Sequence, residues 1–86
     1  MRIIYGNRFA RSAKKIPADA QRQLASVVKQ IFLDPFAPTL RSKRLHGKFA
    51  GIYSCRITHD YRLLFIFTEQ TTIKLILVGH RKDIYR

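Results

Sequence analysis

A single cysteine, Cys55, stands in the whole chain, and tryptophan is absent. One thiol can close no internal disulfide and cannot supply a multi-cysteine zinc site. No apolar run approaches the roughly 18 residues of a membrane span. The opening Met1-Arg2-Ile3-Ile4-Tyr5-Gly6 gives way to basic and polar positions, which does not match a secretory leader, so a soluble cytoplasmic protein is expected. Acidic residues are equally scarce. Asp19, Asp34, Asp60, Glu69 and Asp83 are scattered where helix starts, helix ends and turns are expected, and capping accounts for them. They form no carboxylate pair and no Mg²⁺ cage. A Gly-rich phosphate loop, a nucleophile elbow and an HExxH pattern are all missing. Neither a metal nor a cofactor is therefore expected.

Against this scarcity of acid stand 17 Lys and Arg, a formal net charge of +12 on 86 residues. Such a surface attracts nucleic acid, an anionic membrane or an acidic protein. The apolar fraction of 47% separates the chain from disordered basic segments, which lack the hydrophobicity to fold. The length allows one domain, residues 1–86. A chain this small buries only about 60–65% of its unfolded surface, so nearly every apolar run must join the core.

The order of elements follows from periodicity. Residues 1–5 hold Ile3, Ile4 and Tyr5, a short β-prone run closed by Gly6, and Asn7 is an N-cap for a helix to about Lys15. Pro17 breaks that helix and suits the first turn of a second, over residues 18–33. There Ala20, Leu24, Val27, Val28, Ile31 and Phe32 recur at helical spacing, until Asp34-Pro35 stops it. Residues 36–50 read as an irregular connection pinned by Leu40, Leu45 and Phe49. From Gly51 the period becomes two. Strands are predicted over 52–58, 61–68 and 71–78, the last nearly continuous in apolar residues and so central and buried on both faces. The predicted fold is α+β, in the order β-α-α-β-β-β. A helical hairpin packs on one face of a mainly antiparallel four-stranded sheet, giving a two-layer domain whose opposite face lies partly open.

The candidate site residues are cationic and imidazole groups. The connection carries Arg41, Lys43, Arg44, His46 and Lys48, suited to phosphate or partner contact. Arg56 and Arg62 interrupt otherwise apolar strands, and period two puts Arg62 on one face with Leu64 and Ile66. Such an arginine either snorkels at a strand end or serves a site. Cys55, inside a strand, reads as a buried structural thiol. The densest cluster is Gly79-His80-Arg81-Lys82-Asp83-Ile84-Tyr85-Arg86, directly after the most apolar strand. His80 can carry a proton, Arg81 matches a phosphate, and Tyr85 can stack on a base or hold a reacting group. These are parts for metal-free RNA cleavage. That reaction needs a base for the 2′-OH, a cation for the phosphorane charge and an acid for the leaving 5′-oxygen. The same spacing also fits a basic tail.

Three pieces occur together: Leu45-His46-Gly47, then Asp60-Tyr61-Arg62-Leu63, then Gly79-His80-Arg81 with Tyr85. In that order the chain resembles the RelE/ParE superfamily of bacterial and archaeal toxin–antitoxin modules over its whole length. The resemblance implies a ribosome-associated mRNA endonuclease held inactive by a cognate acidic antitoxin. It implies that Arg62 contacts the scissile phosphate, that Arg81 stabilises it, that Tyr85 stacks on or orients the substrate, and that His80 is a base or acid. Some relatives carry lysines near the start of the middle strand, where this chain has Tyr53 and Cys55 with Arg56 beside them. Two other readings remain open: a ParE-like inhibitor of DNA gyrase acting by protein contact, and a non-catalytic basic nucleic-acid-binding module.

Overall fold

The chain opens in β1 (Arg2–Tyr5) in the computed structural model, which describes residues 1–85; Arg86, the end of the basic tail, lies outside the described residues. At Gly6 the backbone turns from strand to helix. The Gly6 amide donates to Leu75 O at 3.0 Å, and a Cβ here would stand 2.6 Å from that same oxygen. Only glycine tolerates so close an approach. Gly6, not Asn7, is consequently the N-cap of α1 (Asn7–Ala13), and no side chain caps the helix. The strand pairing holds Gly6 extended, so Asn7 already falls inside the first turn.

Helix α2 (Ala18–Leu33) follows Pro17 directly, with Asp19 complementing the positive end of its dipole. Gln21 ties the hairpin together: its Nε2 donates to Ala13 O at 3.1 Å and to Ile16 O at 3.2 Å. The buried stripe of α2 is Ala20, Leu24, Val27 and Ile31. Phe32 belongs to the predicted stripe yet is 53% exposed, and Leu33 is 80% exposed; both line an open groove beside Ile3 and Tyr5 of the edge strand β1.

The remaining strands are β2 (Lys43–Arg44), β3 (Tyr53–Arg56), β4 (Tyr61–Glu69) and β5 (Thr72–His80). The sheet order is β1-β5-β4-β3-β2, with β1 parallel to β5 and every other pair antiparallel. The α+β layering is as predicted, with five strands in place of four. The extra strand is the two-residue β2 at the edge, too short to show any periodicity. The middle position belongs to β4, and the outer face of β5 is only half-buried at Lys74 and Leu77. A bulge explains the apolar run of β5. The register passes from Leu64↔Leu77 to Phe65↔Leu75, leaving Ile76 without an opposite residue. Leu75 and Val78, three apart, can then both face the helices. Together with Leu63, Phe65 and Ile73 they meet Ile31 and Val27 in the core. No helix among the described residues is long and apolar enough to cross a membrane.

Candidate active site

Side chains alternate across a strand, so register decides which residues share a face. Leu63 and Phe65 face the helices, and their partners Cys55 and Tyr53 do too. The outer face of β3 is therefore Ser54 and Arg56. They oppose Leu64 and Arg62 respectively. Tyr53 and Cys55, where some relatives carry lysines, point the other way. Burial pushes the Cys55 thiol up to about 12, so it stays protonated and unreactive.

Arg56 stands directly opposite Arg62, a like-charge pair that costs stability in a sheet. Arg62 is held in place by the β3–β4 turn. Its Nη1 donates to Thr58 O at 2.8 Å, His59 O at 2.9 Å and Tyr61 O at 3.1 Å. Its Nε and Nη2 have no protein acceptor among the described residues, which leaves that edge of the guanidinium for a ligand. Arg41 and Lys43 come up beside this pair from the connection. With Ser54 and Cys55, these four cations line a pocket of about 280 Å³, and no carboxylate shares it among the described residues. Arg41 reaches it from a left-handed backbone, φ 50 and ψ 43, at the end of a short helical turn. For a residue other than glycine this costs about 1–3 kcal/mol and concentrates at functional sites.

The C-terminal segment folds back over the same face. The amides of Asp83 and Ile84 donate to His80 O at 2.9 and 3.0 Å, turning the chain after β5. Ile84 is buried, with its methyl 3.8 Å from where a Gly79 Cβ would stand. That turn brings the Tyr85 hydroxyl to 2.9 Å from Ser54 Oγ. Phe49 presents its ring edge-on to Tyr85 at 6.1 Å, and Lys48 Nζ lies 5.3 Å from the Phe49 ring centre. Ser54 was not singled out from the sequence; a small polar residue inside a strand carries no signal until its face is known.

His80 and Arg81 take other positions. His80 pairs with Tyr61, on the face that Leu63 and Val78 share, and its ring packs edge-on to Tyr61 at 5.4 Å. Its Nδ1 accepts from the Lys82 amide at 3.1 Å, so the neutral ring carries its proton on Nε2. Arg81 is tied to the β3–β4 turn: its amide donates to Asp60 O at 2.7 Å, and its Nε lies 3.6 Å from Asp60 Oδ1. The hydrogen bond from His59, 3.1 Å away, holds the Asp60 carboxyl below its usual range, helped by the charges of His80 and Arg81. Arg44 opposes Tyr53 on the helix side, and His46 is exposed. The structure thus gathers Arg41, Lys43, Arg56 and Arg62 at one pocket and Tyr85 near it through Ser54. Arg81 stands at the adjoining turn, while His80, Arg44 and His46 lie apart.

The same architecture recurs in known toxins. The sequence model described as "ParE toxin of type II toxin-antitoxin system, parDE" matches residues 3–85. Toxin RelG of Mycobacterium tuberculosis (strain ATCC 25618 / H37Rv) is 41% identical over 88 residues, covering 95% of this chain and 97% of that protein. Among solved structures, YafQ from E. coli strain BL21(DE3) superposes with a TM-score of 0.83 at 14% identity over 100% of both chains. The RelB-RelE antitoxin-toxin complex from Methanococcus jannaschii gives 0.78 at 20% identity, over 95% of this chain and 94% of the other. The two structures speak for the fold, and the sequence matches speak for descent: the chain belongs to the RelE/ParE superfamily and is the toxin of a toxin–antitoxin system.

Proposed function

We propose that this toxin is a metal-free endoribonuclease that cuts mRNA on the ribosome by attack of a 2′-OH on the adjacent phosphate, and so inhibits translation. One observation carries the reading: four cations, Arg41, Lys43, Arg56 and Arg62, surround one pocket with no carboxylate to neutralise them among the described residues. An anion relieves their repulsion, and the dianionic phosphorane relieves it more than the ground-state phosphodiester does. That difference lowers the barrier. Arg62 offers a preoriented guanidinium edge, and Arg56 completes the clamp from the opposite strand. Tyr85 supplies a ring to stack on a base or a hydroxyl to orient a reacting oxygen. Arg81 adds charge at the adjoining turn. The proton carriers are His80 and Tyr85. Because His80 stands at the other side of the sheet end, a nucleotide must wrap that end to meet its Nε2. His80→Gln and Tyr85→Phe separate the two. Arg44, His46 and Lys48 serve the ribosomal RNA around the site.

The test is direct. Purified protein is added to a translation reaction and the mRNA is mapped by primer extension. New 5′ ends within translated codons are expected, and Arg56→Ala and Arg62→Ala proteins should leave the message whole. Intact mRNA together with blocked DNA supercoiling by gyrase would instead establish the ParE-like alternative.

The second partner is a cognate antitoxin, as the RelB-RelE complex suggests by analogy. The charge of +12 calls for an acidic chain, which speeds encounter. Apolar anchors would fit the groove of about 520 Å³ along the sheet edge, lined by Ile3, Tyr5, Val28, Lys29, Phe32 and Leu33. Exposed Tyr5, Phe32 and Leu33 make that edge costly to leave in water. Acting on translating ribosomes, the protein would work in the cytoplasm.

A further inference from the structure

Ser54 is a polar side chain buried on the outer face, at 1% exposure. Its backbone is pinned from both sides, opposite Lys43 of β2 and Leu64 of β4. Tyr85, by contrast, hangs from the turn after β5 and is only half-buried. The 2.9 Å contact between their hydroxyls joins a paired strand of the sheet to a site side chain on the turn after β5. Either hydroxyl could donate in principle, yet the two are not equivalent. A buried hydroxyl proton must find an acceptor, and Ser54 has none other than Tyr85 among the described residues. Tyr85, reaching solvent, has alternatives.

We infer that Ser54 donates to the Tyr85 oxygen and thereby acts as a positioning residue, fixing the phenol so that its own O–H points into the cationic pocket toward a substrate oxygen. The inference rests on the nuclease reading for its consequence, but the geometry it claims can be measured without substrate. It gives Tyr85 a defined direction at a distance from the core where rotamer freedom would otherwise scatter the hydroxyl. Ser54 lines the pocket alongside Arg41, Lys43, Arg56 and Arg62, so the aimed proton and the cations serve one volume.

The experiment is a double-mutant cycle on the full chain, read in ribosome-bound mRNA cleavage and by the ring signals of isotope-labelled tyrosine. Ser54→Ala should lower kcat about 10-fold, the size of one lost neutral hydrogen bond with its misalignment, and leave KM within about twofold. Ser54→Thr keeps the hydroxyl and should recover most of the rate. In a Tyr85→Phe background Ser54→Ala should cost nothing further, because the bond is already gone. The Tyr85 ring signal should shift or broaden in Ser54→Ala while the other three tyrosines stay unchanged. If Ser54→Ala does not fold, Ser54→Cys, of similar volume and weak as a donor, takes its place. An unchanged kcat or equal losses in both backgrounds would overturn the role for Ser54. So would an unmoved Tyr85 signal. A wild-type protein that cuts no mRNA would overturn the nuclease reading instead, and the ring signal alone then decides whether Ser54 holds Tyr85.

Discussion

On the helix-covered face of the sheet, Leu63, Phe65, Ile73 and Leu75 are fully buried; on the opposite face β3, β4 and β5 carry Ser54, Arg56, Arg62 and Lys74 around a buried Leu64. The two faces share backbone, register and twist, yet they follow different physics. The first is satisfied: apolar surface meets apolar surface, and Tyr53 stacks on Phe65 with 5.6 Å between ring centres. The second is unsatisfied. Two arginines oppose each other with no carboxylate between them among the described residues, and Arg41 holds a strained backbone at the rim. A face that stores repulsion without relieving it internally is built for an anion that arrives from outside. Stability resides on one side of the sheet and the capacity to act on the other.

Breaking the covered face should have the largest effect. Phe65→Ala empties the centre of the core and should cost about 3–5 kcal/mol, a large part of the total for a domain of this size. Urea unfolding measures it, with mRNA cleavage by the surviving folded fraction unchanged per molecule. On the open face, Arg62→Ala and Arg56→Ala should each cut the cleavage rate by about 10²–10³, the usual loss for one preorganised group aimed at developing charge. The two differ in stability: Arg62→Ala also releases three turn carbonyls and should unfold at lower urea, whereas Arg56→Ala should not. Equal activity in wild type and both variants would dissolve the contrast between the faces.

Smaller effects sharpen it. Changing Lys43, Arg44 and Lys48 together to Gln should weaken RNA binding and flatten its salt dependence. The log–log slope should fall by about 2, at roughly 0.7 per phosphate of a single strand. The smallest effect has the opposite sign. Arg56→Thr removes the like-charge opposition while keeping a strand-favouring residue. It should raise stability by about 0.2–1 kcal/mol in the free protein, while cleavage falls as in Arg56→Ala. A destabilised Arg56→Thr protein would mean that the arginine pair is structurally useful in itself.

Much of this was legible in the residues. The change of period at Gly51, the Pro17 and Asp34-Pro35 breaks and the apolar spacing of α2 give the element order and the two layers. Period two places Arg62 with Leu64, as found. Other features were hidden. Asn7 has the chemistry of an N-cap, but the contact between Gly6 and Leu75 sets the helix start one residue earlier. Phe32 has helical spacing, yet it borders an open groove at the edge strand and is half exposed. Tyr53 and Cys55 stand where some relatives carry lysines, and pairing with Phe65 and Leu63 turns both inward.

Local chemistry thus determined what each segment is: a basic chain poor in acid, two helices, and strands interrupted by arginine. It could do so because propensity, charge and periodicity act over a few residues. Tertiary structure alone decided which cations meet. The opposition of Arg56 and Arg62, the arrival of Arg41 and Lys43, the burial of Ser54 under Tyr85 and the turning of His80 to the other face all depend on strand register. Register is a relation between distant segments, and a shift of one residue would exchange the two faces of the sheet.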